Sequence, residues 1–207
     1  MTHRIEELRQ TGTERYAVTL AGGETLSVPF SVAADHSLYA GRELTEEELA
    51  LVRAEAALAR TKERALRILG ARPLSEGELY DRLVSKGESE RNAAAAVAWL
   101  VELRFLNDTE YASMLVRHCA GKGYGPRRIR EELYRRKVPR EKWDEALEEL
   151  PEQDRTVDRL LRARLKSAEP DRTELKKATD ALLRRGFSWE EVRAAVERYR
   201  VDMESYD

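Results

Sequence analysis

Two short alternating runs, Arg15 to Leu20 and Thr25 to Val28, flank Gly22-Gly23, and period-two alternation around a glycine pair predicts a β-hairpin over residues 15–28. It is the one convincing β signal in the chain. Pro29 and the Asp35-His36 stretch break the alternation. Thr45, with Glu48 three residues later, then forms a capping box that opens a helix through Leu49, Val52 and Ala56. From there onward the apolar positions fall at helical spacing. The stops are Pro73, Gly87, Asn107-Asp108, the Gly121/Gly123/Gly125 group before Pro126, Pro139, Pro151, Pro170 and Gly186. Each removes a backbone donor or supplies left-handed geometry at a helix end, so helices of about three turns follow.

The helical part repeats itself. Leu79, Ile129 and Ala178 occupy equivalent places, at offsets of 50 and 49, and Leu83, Leu133 and Leu182 stand four residues later in each copy. Lys86, Arg136 and Arg185 come next, then Gly87, Lys137 and Gly186 at the helix end. Ala93, Trp143 and Val192, and one turn on Val97, Leu147 and Val196, match in the following helix. Three copies of about fifty residues, each three helices, predict a mainly α fold. A unit that small buries too little alone, so tandem three-helix repeats stacked into a curved, elongated array are expected, behind a small N-terminal β-hairpin segment. The expected divisions are 1–44 for the hairpin segment, 45–107 for a linking helix and the first repeat, 108–151 for the second repeat, and 152–207 for the third repeat with an acidic tail.

Charge changes the picture more than composition does. The 207 residues carry 37 Lys+Arg and 39 Asp+Glu, a net charge of -2, with 42% hydrophobic and 37% charged residues, which fits a folded helical chain rather than a disordered one. Residues 111–140, however, hold 9 basic and 2 acidic residues, and residues 141–154 hold 1 and 7. A basic working surface with acidic surroundings has this alternation, and so does an ordinary solvated helical exterior. The single Cys119 excludes an internal disulfide, and no apolar leader or long apolar run is present, so a cytoplasmic protein without a membrane span is expected.

Catalytic signatures are missing. There is no phosphate-binding Gly-rich loop, no Cys/His ligand cluster and no nucleophile elbow, so a non-enzyme without metal or cofactor is expected. His3 is expected at a loose terminus, His36 in a loop and His118 beside Cys119 on a helix, none with a catalytic role. Glu46-Glu47-Glu48 and Glu148-Glu149 suit helix ends rather than a metal.

The basic element is the candidate site. Arg117, Lys122, Tyr124, Arg127, Arg128, Arg130, Arg135, Arg136, Lys137 and Arg140 surround a helix whose inward positions are Ile129 and Leu133. Arg127, Arg130 and Tyr134 share one stripe of that helix, and Arg128 and Arg135 a neighbouring one. Pro126 at the first helical position, preceded by glycines, leaves backbone donors at a positive helix end, suited to a phosphate or carboxylate partner. Arginine pairs bidentately with either, which leaves a polyanionic strand and an acidic protein surface both open. Arg159, Arg162, Arg164, Lys166, Lys176, Lys177, Arg184 and Arg185 extend the strip along the third repeat. Tyr124 and Tyr134 could stack on bases, whereas Trp143 and Phe187 have core spacing.

These stretches resemble the RecX regulatory proteins. The resemblance is carried by Ser75-Glu76-Gly77-Glu78-Leu79 with Arg82-Leu83 and Lys86-Gly87, by Phe105-Leu106-Asn107-Asp108 with Tyr111-Ala112, and by Gly123-Tyr124-Gly125-Pro126-Arg127-Arg128-Ile129 with Glu132-Leu133. The last is the most specific, and the set runs in family order from about Ala65 to Leu147. Lys137-Val138, where a glycine is frequent, and Ala178 depart from the pattern. The resemblance implies tandem three-helix repeats and a partner. RecX proteins bind the RecA recombinase filament on single-stranded DNA, lie along its groove, and inhibit its ATP hydrolysis, strand exchange and growth. A monomer that docks its second and third repeats on that filament is the leading expectation. A single-stranded nucleic-acid-binding module without a dedicated protein partner is the alternative, and a helical scaffold for another partner a third.

Overall fold

Residues 2–165 and 170–204 are described by a computed structural model; Lys166 and the last three residues of the acidic tail lie outside them. Packing divides the chain into two compact units, Met1–Arg72 with Leu79–Phe105, and Pro73–Glu78 with Leu106–Asp207.

In the first unit the hairpin is β2 (Arg15–Leu20) against β3 (Thr25–Pro29), with Tyr16 opposite Val28 and Val18 opposite Leu26. Gly23, at φ 78°, takes the left-handed step of the turn. The sheet is larger than a hairpin, which corrects the expectation of one isolated β region. β1 (Thr2–Gln10) pairs antiparallel with β2, and β4 (Glu43–Thr45) with β1, in the order β3-β2-β1-β4. The sequence hides β1 because only Ile5 along it is buried, and its register slips between Ile5 and Glu7, so the ladder rather than alternation holds it. His3 is accordingly not loose: it sits in β1 with Nε2 2.6 Å from Glu46 Oε2. A short helix, α1 (Phe30–Asp35), follows Pro29 and buries Val32 and Ala33.

Helix α2 (Glu46–Leu69) begins as the sequence predicts. Thr45 accepts from the Glu48 backbone N–H, and Glu48 accepts from the Thr45 N–H at 2.8 Å, which holds the Glu48 carboxyl below its ordinary pKa. Leu49, Val52 and Ala56 join Ile5, Val18 and Val28 in one core between helix and sheet. Further along, Thr61 and Ala65 face inward, and Thr61 donates to the buried Glu88 carboxylate at 2.6 Å, which also meets Arg64 at 2.7 Å. A buried carboxylate with a cation and a hydroxyl on it is tolerated; removing one partner would not be. The end of α2, with α3 (Glu76–Ser85) and α4 (Glu90–Glu102), forms the first three-helix repeat, burying Leu79, Leu83, Ala93, Val97 and Leu100.

The second unit holds two more repeats. The second is α5 (Asp108–Gly121), α6 (Pro126–Arg135), a 3-10 turn at Arg140–Lys142 and α7 (Trp143–Glu148). Its core contains Tyr111, Leu115, Ile129, Leu133, Val138 and Trp143. The third is α8 (Gln153–Arg162), α9 (Arg172–Arg184) and α10 (Trp189–Glu204), around Val157, Leu161, Ala178, Leu182, Phe187 and Val192. The three equivalent helix ends all turn left-handed, Gly87 at φ 86°, Lys137 at 55° and Gly186 at 90°. Lys137 adopts a conformation that costs a non-glycine residue about 1–2 kcal/mol.

Two helix starts inside this unit are sealed in equivalent ways. Gly125 N–H donates to the Arg185 carbonyl at 2.8 Å, and Arg127 N–H to the Gly186 carbonyl at 3.1 Å. Fifty residues earlier, the fully buried Ser75 donates its hydroxyl to the Arg136 carbonyl and accepts from Glu78 N–H, while Asp108 Oδ1 accepts from Glu76 N–H at 2.9 Å.

Candidate functional site

At the α6 amino terminus the Gly125 and Arg127 donors are therefore taken up inside the fold rather than offered to an anion. The expectation of an open helix end at Pro126 is corrected: proline has no N–H, and the flanking donors on Gly125 and Arg127 are occupied by carbonyls of the turn after α9. A side chain at Gly125 or Gly186 would block this approach, because a Cβ at Gly125 would lie 2.5 Å from the Gly186 carbonyl carbon. Of the two glycines in the Gly-Tyr-Gly-Pro stretch, Gly125 packs backbone on backbone, whereas Gly123, at φ 72°, is faced by the Arg185 and Leu160 side chains.

What α6 does present is its outer face. With Ile129 and Leu133 inward, Arg127, Arg130, Glu131, Tyr134 and Arg135 line one side of a groove of about 890 Å³. Lys137, Val138, Arg140 and Trp143 complete it. Among the described residues, five cations thus border the groove against one carboxylate. Tyr134 is 77% exposed, and Trp143 forms the floor with its indole N–H donated to the Val138 carbonyl at 3.0 Å. Arg140 lies over the Trp143 ring at 5.6 Å. The intrahelical carboxylates temper some of this charge: Arg127 is 3.7 Å from Glu131, and Arg135 is 2.5 Å from Glu132, which raises the Arg135 pKa. Arg130 makes no ion pair among the described residues. A groove with cationic walls, an apolar floor and one open aromatic ring can hold an acidic or phosphorylated chain.

Arg128 parts company with Arg135. Instead of sharing the groove, it stacks on Tyr124 at 4.4 Å and donates to the Arg184 carbonyl at 3.3 Å. Arg185 donates to the carbonyls of Lys122 and Gly123 at 2.8 and 3.1 Å. Together with Arg164, Ala181 and Arg184 these residues line a second concavity of about 320 Å³. Tyr124 is therefore covered by its own arginine, and Tyr134 is the open ring of the two.

The remaining sequence-named residues lie in neither concavity. Arg117 pairs with Glu149 at 3.0 Å, and Lys122 is an exposed helix cap. Arg136 is half-buried against Glu78 at 3.4 Å and lends its carbonyl to Ser75, a structural position. Arg162 lies over Tyr199, while Lys176 and Lys177 are exposed on α9. Trp143 and Phe187 are buried as their spacing predicts.

Sequence reasoning overlooked one basic patch. Arg64, Arg67, Ile68 and Lys86 border a concavity of about 470 Å³ in the first unit, where Arg64 also donates to the Lys86 carbonyl at 3.0 Å. The spacing of Arg60, Arg64 and Arg67 was the available signal. Among the described residues no group of His, Cys, Asp and Glu could hold a metal ion, and no helix is long and apolar enough to cross a membrane. Cys119 is buried, which pushes its thiol pKa up.

Comparison with known proteins bears on all three repeats. The RecX first three-helix domain matches residues 62–100, the RecX second three-helix domain 107–147, and the RecX third three-helix domain 152–196. The Regulatory protein RecX of Stenotrophomonas maltophilia strain K279a is 38% identical over 143 residues, 68% of this chain and 86% of that protein. That of Xanthomonas axonopodis pv. citri strain 306 is 38% identical over 145 residues, 69% and 87% of the two chains. A crystal structure of regulatory protein RecX superposes with a TM-score of 0.74 at 23% identity, covering 94% of this chain and 99% of the other. RecX from Lactobacillus salivarius gives 0.63 at 21%, covering 70% and 97%. With three matched domains in order and relatives aligned over most of their length, the chain belongs to the RecX family of regulatory proteins.

Proposed function

We propose that this chain is a non-catalytic, monomeric regulator of the RecA recombinase filament on single-stranded DNA in the cytoplasm, and that it inhibits the filament's ATP hydrolysis, strand exchange and growth. The observation that carries the reading is the α6 groove, in which Arg127, Arg130, Arg135, Lys137 and Arg140 surround the open ring of Tyr134. Complementary charge on a rigid helix steers association with a negatively charged assembly and fixes register. Arg128 and Arg136 belong to the internal packing and drop out of the contact set. Lys176 and Lys177 remain as exposed contacts on the third repeat.

The test is RecA ATP hydrolysis on single-stranded DNA, titrated with the wild-type chain and with Arg127→Glu/Arg130→Glu. Both side chains are exposed, so the helical circular dichroism should be unchanged while the concentration for half-inhibition rises about tenfold or more, the scale of losing two interfacial charge contacts. Unaltered inhibition by the double variant would remove the groove from the contact surface. No inhibition by the wild-type chain, with salt-sensitive binding to bare DNA, would favour the nucleic-acid module instead.

A further inference from the structure

The two basic concavities of the second unit differ in how their arginines are held. In the α6 groove, carboxylates of the same helix sit on Arg127 and Arg135. In the smaller concavity, four arginines, Arg128, Arg164, Arg184 and Arg185, come from the start of α6, the segment after α8, and the end of α9, and among the described residues no carboxylate lines it. Arg128 and Arg185 are oriented by a tyrosine face and by three carbonyl oxygens. Such partners fix a guanidinium without neutralising it, and each guanidinium has five N–H donors, so several stay available. Arg164 and Arg184 have exposed side chains that make no hydrogen bond or ion pair among the described residues. Arg164 also borders a neighbouring concavity that contains Asp171 and Glu174, which temper its charge from one side. The small, buried Ala181 is also among the lining residues.

We propose that this concavity binds a terminal phosphate, the phosphomonoester or polyphosphate end of a nucleotide or of a phosphorylated nucleic acid. The inference does not depend on the RecA reading. A volume of about 320 Å³ lies at the small end of ligand pockets and has room for a phosphate and its attached sugar. Guanidinium forks approaching from three elements suit a tetrahedral group with three outward oxygens better than a planar carboxylate with two. Four positive charges in one concavity call for a dianion or more, whereas a backbone phosphodiester brings one charge and suits an open track such as the α6 groove. Because two of the four guanidiniums are already fixed, little side-chain ordering remains at binding.

The experiment is calorimetric titration at low salt, without RecA, using pyrophosphate, ATP, and one short single-stranded oligonucleotide carrying either a 5′-phosphate or a 5′-hydroxyl. Pyrophosphate should bind and compete with the phosphorylated ligands, and the 5′-hydroxyl oligonucleotide should bind about tenfold more weakly than its phosphorylated twin, the scale of a lost charge-assisted contact. Arg164→Ala/Arg184→Ala should lose about a hundredfold in affinity for pyrophosphate, since it removes two such contacts at about tenfold each, whereas Arg130→Ala in the groove should not. The fold should survive the double variant, because both side chains are exposed and the Arg184 carbonyl that holds Arg128 is retained. Comparing ATP with the phosphorylated oligonucleotide identifies the source of the phosphate. Equal binding of the two oligonucleotides, no binding of pyrophosphate, or an unaffected double variant would each overturn the proposal. As RecA is absent, none of these outcomes touches inhibition of its ATP hydrolysis.

Discussion

The starts of α3 and α6 solve one problem with different chemistry. Each must satisfy the orphan N–H groups of a helix that begins against another stretch of backbone. At α6 the solution is all backbone: Gly125 and Arg127 donate to the carbonyls of Arg185 and Gly186, and the chains come so close that only glycine fits at two of the four places. At α3 side chains do the work, with Ser75 reaching the Arg136 carbonyl and Asp108 accepting from Glu76. At the contact of Arg127 with Gly186, matched at α3 by Gly77 with Lys137, the glycine has also changed sides. Gly186 lies on the turn in one case, and Gly77 on the helix in the other, packed against the Cβ of Lys137. What the repeat preserves is the contact, with a small residue on one side of it, rather than the residue type at either position. That is the physical reason Lys137 can stand where a glycine is frequent.

The comparison breaks first at Gly186. Alanine there would place Cβ 2.4 Å from Arg128 N at a φ of 90°, so both sterics and backbone oppose it. We expect Gly186→Ala to destabilise the second unit by about 3 kcal/mol, measured by urea unfolding, combining overpacking with left-handed strain. Gly77→Ala is milder, because its Cβ would meet Lys137 Cβ at 3.0 Å and the Lys137 carbonyl at 3.1 Å, and alanine favours a helix. A loss of about 1 kcal/mol is expected, partly recovered when Lys137→Gly is added, which reproduces the α6 arrangement at α3. A double-mutant cycle reads this directly: additive losses would show that the two residues do not share a contact.

The helical repeats were legible because each copy marks itself three times, with an apolar pair four residues apart that ends in leucine, a left-handed stop and an inward residue on the next helix. Leu83, Leu133 and Leu182 are all fully buried, and the three stops all have positive φ. The sheet was half legible. β2 and β3 alternate, but β1 buries one residue, and β4 is three residues long with only Leu44 buried, so neither leaves a pattern. The site was legible as a set of cations and not as an arrangement. Periodicity correctly put Arg127, Arg130 and Tyr134 on one face, yet a helical wheel cannot show that Arg128 turns back onto Tyr124, or that Arg136 meets Glu78. Those partners lie four residues upstream in a turn and 58 residues away, distances at which only the fold supplies the information.

The mildest and most specific way to separate the two helix starts is by pH, because only α3 has an ionisable cap. Asp108 is almost fully buried, Oδ1 accepts from Glu76 N–H, and Oδ2 has no partner among the described residues. Burial raises its pKa from 3.8 to about 6, against the opposing effect of the Glu76 N–H. The folded chain therefore holds this proton more tightly than the unfolded one. The contribution is fully favourable below about 4 and is lost as pH rises through about 6, the reverse of an ordinary salt-bridged carboxylate. Asp108→Asn keeps an oxygen for Glu76 N–H and removes the charge. It should flatten the stability profile between pH 4 and 7 and, at neutral pH, change stability by only about 1 kcal/mol, a buried charge being replaced by a buried amide. Melting temperatures of both proteins across that window check it. A wild-type profile that climbs from pH 4 to 7 as steeply as that of Asp108→Asn would mean that the carboxylate is solvated, and that the α3 start is sealed by Ser75 alone.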